Sequence, residues 1–135
     1  MTVATEPLFA LIATTTLRPV MGIPQGDRVL IDVTGGEFSG PKLSGRVLPS
    51  GGDWVALSAA GARVDVRLAL ESHDGVVMLF RYLGVVSDRG GVQRADVAGL
   101  FEVPAGPYGW LNGVLAIGYG AAIEGGARYE FFRFI

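Results

Sequence analysis

Cysteine is absent from the 135-residue sequence, and with it go disulfides, thiolate nucleophiles, iron–sulfur clusters and cysteine-based zinc sites. A single histidine, His73, leaves too few imidazoles for most structural metal schemes, and no Asp-x-Asp-x-Asp-Gly loop suggests calcium. Neither a metal nor a cofactor is expected. Charge is scarce too: 18% of residues are charged, the net charge is −2, and the eleven lysines and arginines are scattered. Nucleic-acid binding wants such cations clustered, so that partner is not expected. The charge-free stretches from Glu6 to Arg18 and over Trp110 to Ala122 are broken by Thr, Pro or Gly and do not supply the roughly 20 apolar residues that cross a bilayer. No membrane span is expected. The N-terminus lacks a basic region followed by an apolar segment, which makes the cytoplasm the default location. Gly-x-Ser-x-Gly, P-loop and Gly-x-Gly-x-x-Gly motifs are missing, which removes serine hydrolase, kinase and dehydrogenase readings.

What is present is apolar and rich in glycine. Half the residues are hydrophobic and 21 are glycine, so the apolar surplus must line a pocket, an oligomer interface or both. No repeat or low-complexity linker divides residues 1–135, which predicts one domain. Short β-branched and aromatic runs recur between Gly, Pro, Asp and Ser clusters, and glycine discourages helices. This predicts an all-β chain of eight or nine strands, at 8–16, 28–34, 42–48, 54–58, 63–71, 76–85, weakly 99–103, 111–119 and 127–134. Only 96–100 offers a helical turn. Ala60-Gly61 and His73-Asp74-Gly75 read as hairpin connections. Residues 63–71 alternate strictly, with Val64, Val66, Leu68 and Leu70 on one face and Arg63, Asp65, Arg67 and Glu71 on the other. Other strands are apolar on both faces, as in a sheet closed on itself, and a small antiparallel barrel fits best. The polar segment 87–96 is expected to be a loop over the barrel mouth, either gating it or lying free.

Candidate chemistry gathers in three places. Asp53-Trp54 follows Pro49-Ser50-Gly51-Gly52, where a glycine-rich turn enters a strand. A carboxyl beside indole in a dry pocket would resist ionisation and serve as a proton donor; capping of backbone amides is the alternative. Asp65 and Arg67 share a strand face, and inside a barrel Arg67 would hold a carboxylate, enolate or phenolate oxygen; a solvated surface pair is the alternative. Tyr82, Tyr108, Trp110 and Asn112 suit a wall that stacks an aromatic ligand, with Trp110 and Asn112 on one face of a regular strand. Core packing is the alternative there, and solvent exposure is the ordinary expectation for His73.

The ordered blocks Thr34-Gly35-Gly36-x-Phe38-x-Gly40-Pro41-x-Leu43-x-Gly45, Leu48-Pro49 to Asp53-Trp54, Asp65-x-Arg67, Asp74-Gly75, Tyr82-x-Gly84, Phe101-Glu102 and Trp110-Leu111-Asn112 span most of the chain. Together they resemble domain-of-unknown-function family 3237. The resemblance implies a single-domain, lipocalin-like antiparallel β-barrel, often dimeric or larger, in a family most of whose members have no assigned activity and some of whose genes look associated with aromatic or polyketide-type metabolism. Arg67-Leu68 replaces the usual Arg-Tyr, and the stretch from Ser87 to Leu100 is shorter than usual. The expected function is a cofactor-free isomerase, cyclase or lyase acting on an apolar aromatic or polyketide-like substrate in the lumen. Asp53 would move a proton, Arg67 oriented by Asp65 would hold an oxyanion, and Trp54, Tyr82, Glu102, Tyr108, Trp110 and Asn112 would bind substrate. The alternatives are a non-catalytic small-molecule binder, or an epoxide or lactone hydrolase in which Asp53 and either Asp65 or Glu102 activate water. A homodimer is expected, because the apolar C-terminus Phe131-Phe132-Arg133-Phe134-Ile135 needs cover.

Overall fold

Alternation dominates the computed structural model, which describes Met1–Ile135. Eight strands follow one another: β1 (Thr5–Val20), β2 (Arg28–Ser39), β3 (Ser44–Ser58), β4 (Gly61–Ser72), β5 (Val77–Arg89), β6 (Val92–Glu102), β7 (Leu115–Ile123) and β8 (Gly126–Phe134). Each pairs antiparallel with its sequence neighbours, and β8 returns to pair with β1, closing a barrel. In β4 the apolar set Val64, Val66, Leu68 and Leu70 is buried, while Arg63, Asp65 and Arg67 look outward. No helix is long and apolar enough to cross a membrane.

The two strands expected at 42–48 and 54–58 are one, β3. It runs through Pro49-Ser50 by a bulge in which Leu48, Pro49 and Ser50 lie opposite Ala69 alone, between Val47↔Leu70 and Gly51↔Leu68. Gly51 sits at φ +81° and a Cβ there would lie 2.0 Å from the Arg67 carbonyl oxygen, so only glycine carries the strand through.

The loop expected at 87–96 does not exist. Gly90 and Gly91 take φ of 65° and 89°, the positive values of a two-residue hairpin turn, and Asp88 accepts the Gly91 N–H at 2.7 Å. β5 therefore runs straight into β6, which also absorbs the helical turn expected at 96–100. A strand expected from residue 111 begins only at Leu115, because Gly109–Gly113 forms a short 3-10 helix, η1. Asn112 holds it in place: its Oδ1 accepts the Val103 N–H at 2.8 Å and its Nδ2 donates to the Val103 carbonyl at 2.9 Å. Leu111 and Tyr108 plug that end of the barrel.

The axis is filled. Phe9, Phe38, Phe80, Phe101 and Phe131 meet from five strands, with Phe80 and Phe101 stacked at 4.2 Å and Phe9 edge-on to Phe80 at 6.0 Å. An open lumen able to take a large ligand, expected from the barrel pattern, is thus replaced by packed side chains, as suits eight strands. Aromatic rings also fold over glycines on the adjoining strand: Tyr82 faces Gly99, Phe131 faces Gly118 and Tyr129 faces Gly120. A Cβ at Gly99 would lie 2.6 Å from the Tyr82 Cβ and 2.5 Å from the Arg81 carbonyl oxygen. Gly99→Val is therefore expected to cost about 1–3 kcal/mol through overpacking, read as a lower midpoint in urea at unchanged slope.

Candidate functional site

The pairing of β3 with β4 stops at Asp53↔Val66 and resumes at Ala56↔Arg63. Trp54 and Val55 stay paired with β2 but have no partner on β4, and the Asp65 N–H, a ladder donor, is taken by Asp53 Oδ1 at 3.0 Å. The Asp53 carboxylate thus occupies a slot in the barrel wall. Amide capping is established for one of its oxygens, and no other protein donor reaches the carboxylate. The residue is 6% exposed. Burial raises its pKa above the ordinary carboxylate range against the opposing pull of the Asp65 N–H, and the negative charge of Asp65 raises it further.

Behind the slot lie two buried phenols, Tyr82 and Tyr129, with ring centroids 5.2 Å apart. Burial pushes Tyr129 up to about 12, helped by the Asp53 charge. Burial also raises Tyr82 well above the usual phenol value, with Tyr129 and Asp53 adding to it. Tyr129 escapes a sequence reading because nothing in the aromatic run of β8 sets it apart from core packing; the period-2 alignment of Tyr129 with Phe131 was the available signal.

In front of the slot is a depression of about 430 Å³ lined by Ile31, Asp32, Gly51, Gly52, Asp53, Trp54, Asp65 and Arg67. Four of the residues singled out in the sequence therefore converge. Gly51 and Gly52 keep the wall thin here, because a Cβ on either would run into a neighbouring carbonyl at 2.0 or 2.1 Å. Trp54 presents its indole outward, 72% exposed. Arg67 has no acidic partner. Asp65 does not orient it, as the sequence suggested. Instead Asp65 is held by two Arg81 nitrogens, Nε and Nη2, at 3.1 and 3.0 Å, and the Arg81 hydrogen bonds keep its pKa below the usual carboxylate value. The reason is register: Asp65 and Arg67 face outward, where β5 offers Arg81 beside them. Glu102 lines an adjoining depression of about 350 Å³ that shares Gly51 and Arg67 with the first, so Arg67 is the ridge between the two.

Three residues fall elsewhere. Tyr108 donates to Asp74 at 2.7 Å, tying the segment before η1 to the β4–β5 turn. Trp110 lies in η1, with Arg133 and Lys42 over its ring at 5.0 and 5.6 Å, and Asn112 is spent on Val103. Helical turning separates Trp110 from Asn112, which share no strand face. The end they close is six residues along β4 from Val66, about 20 Å at strand rise. No group of three or more His, Asp or Glu side chains is placed to hold a metal.

The family model described as Protein of unknown function (DUF3237) matches residues 3–134. The chain belongs to the DUF3237 family. No curated protein matches it. Among solved structures, this DUF3237 chain is similar to a β-barrel-like protein of Acinetobacter baumannii, with 24% identity and a TM-score of 0.90 over 100% of this chain and 98% of that one. It is also similar to a conserved protein of unknown function from Rhodopseudomonas palustris, with 22% identity, TM-score 0.91 and coverage of 100% and 99%. A third neighbour, described as an enzyme from Penicillium herquei, shares 24% identity at TM-score 0.82 over 98% and 95% of the two chains. These likenesses establish the DUF3237 barrel as a shared fold.

Proposed function

We propose that this DUF3237 chain is a cofactor-free enzyme of the isomerase, cyclase or lyase type, acting on an apolar aromatic or polyketide-like substrate at the Asp53 depression. The observation that carries this reading is Asp53 itself: a buried carboxylate with a raised pKa, one oxygen fixed by the Asp65 N–H, in a wall between two phenols and an accessible recess. A base so placed takes a proton from carbon or oxygen of a substrate resting on Trp54. The charge left on the substrate oxygen falls to Arg67, whose guanidinium makes no salt bridge and so keeps its donors free. Asp53, now protonated, returns the proton to another substrate atom, so the step is a net isomerisation or ring closure. The fold neighbour described as an enzyme from Penicillium herquei supports, by analogy alone, an enzymatic role for this barrel and not a particular reaction. Hydrolysis by paired carboxylates is less favoured, since Asp65 is committed to Arg81 and Glu102 lies beyond Arg67.

The test is solvent-deuterium incorporation into the α-carbon of 2-tetralone, an enolisable aryl ketone, followed by proton NMR. Exchange faster than in buffer, weakened when Trp54→Ala removes the stacking surface, is the expected result. The exposed indole equally fits a non-catalytic binder of the same ligands. Binding with exchange no faster than buffer would select that second reading.

A homodimer accompanies the proposal. Pro7, Phe132, Ile117, Ala98 and Leu83 form one cross-strand outer row over five strands, an apolar band that a second copy of the chain would cover. Light scattering at high concentration is expected to give twice the chain mass; a monomer would refute it.

A further inference from the structure

β6 and β7 pair only from Ala95↔Gly120 to Leu100↔Leu115. Past that point Val92–Arg94 stay with β5 and Ala121–Ile123 stay with β8, so two hairpin tips part and the barrel seam opens as a wedge. The cleft left there measures about 430 Å³ and lies apart from the Asp53 depression, with which it shares no lining residue. Its sides are apolar: Val92 from one tip and Ile123 from the other, both exposed to water. Gly120 and Tyr129 form its floor; the Tyr129 ring covers Gly120, where a Cβ would come within 2.4 Å of it.

The rim carries three guanidiniums, Arg89, Arg94 and Arg128. Arg89 and Arg94 share a single carboxylate, Asp96, at 2.6 and 2.9 Å. Glu130, the acid within the cleft, accepts the Tyr119 hydroxyl at 2.7 Å. Arg128 has no ion pair. Asp88 and Glu124 also stand on the two hairpin tips, outside the cleft lining, so what sets the rim apart is Arg128, a guanidinium in the lining with no salt bridge. An apolar slot with a free planar fork at its edge matches one ligand chemistry, a hydrophobic tail ending in a carboxylate.

We propose that the wedge between the β5–β6 and β7–β8 hairpin tips is a second ligand site, which binds small amphipathic carboxylates with the tail between Val92 and Ile123 and the head on Arg128. Titration calorimetry with decanoate on the full chain tests it. Decanoate is expected to bind with a Kd below 1 mM, and decanol, which has the same tail without the charge, at least tenfold more weakly. Arg128→Gln and, independently, Ile123→Glu should each weaken decanoate at least tenfold. Both residues are on exposed strand ends, and circular dichroism verifies the fold. Trp54→Ala, in the other depression, should leave decanoate affinity unchanged. No decanoate binding at 1 mM, equal binding of decanol, insensitivity to both wedge variants, or loss on Trp54→Ala would each overturn the proposal. Because the readout is binding in the wedge, the Asp53 reading stands or falls separately.

Discussion

Phe80→Ala is expected to lower the unfolding free energy by about 3–5 kcal/mol, the largest loss from any single truncation in this chain. Phe80 is 1% exposed and touches aromatic partners on every side: Phe101 stacked at 4.2 Å, Phe131 at 4.9 Å, Tyr82 at 5.2 Å and Phe9 at 6.0 Å. The cavity would be lined by rigid rings anchored on four different strands, so collapse around it is restricted and the cavity cost is retained. Since small domains hold only about 5–15 kcal/mol in all, the variant should sit near the edge of folding. Urea unfolding by tryptophan fluorescence and far-UV dichroism would measure it. Phe80→Leu should recover more than half of the loss, because most of the volume returns. Trp54→Ala, on the outer wall, should change stability by no more than about 0.5 kcal/mol. If Phe80→Ala cost as little as Trp54→Ala, the axis would not be packed, and a ligand-sized lumen would have to be restored.

The barrel was legible in the sequence where one face of a strand is charged and the other apolar. Residues 63–71 state their pairing outright, and Gly61 and Gly75 mark the flanking turns, at φ of 111° and 87°. What escaped depends on neighbours that no local pattern contains. Pro49-Ser50-Gly51-Gly52 looks like a break between strands, yet the Arg67 and Ile31 carbonyls lie so close that two glycines let one strand pass. Gly90-Gly91 sits in a polar stretch that reads as loop, although two consecutive positive φ values make it the tightest of hairpins. The candidate site was half legible for the same reason. Asp53, Trp54, Asp65 and Arg67 meet because the β3–β4 register brings them together. Trp110 and Asn112 share their polarity and size but are carried away by η1, whose turn is fixed by the distant Val103 backbone. The partner of Asp65 is Arg81, sixteen residues on, and only the pairing of β4 with β5 selects it over Arg67.

Asp53→Asn should abolish function and, at neutral pH, strengthen the fold. If Asp53 moves the proton, the amide cannot, and α-carbon exchange should fall about 10²–10⁴-fold, the usual contribution of a positioned acid or base. The amide keeps an oxygen for the Asp65 N–H, so the slot in the wall stays capped. The stability effect follows from linkage. Asp53 has a native pKa above its ordinary value of 3.8, chiefly because burial disfavours the charge. Between that value and the raised one, the native state binds more protons than the unfolded chain. Stability conferred by the protonated carboxyl is therefore complete below pH 3.8 and is lost as pH rises through the native pKa. The variant lacks this loss, so its advantage over the parent protein should be present at pH 7 and shrink as pH falls toward 4. Paired urea titrations at pH 4 and pH 7 read this directly, with slope checked for constancy. A variant that lost exchange and stability equally at both pH values would make Asp53 a capping residue alone; one that gained stability at pH 7 while losing exchange would mark a carboxylate held in the wall at a cost to the fold.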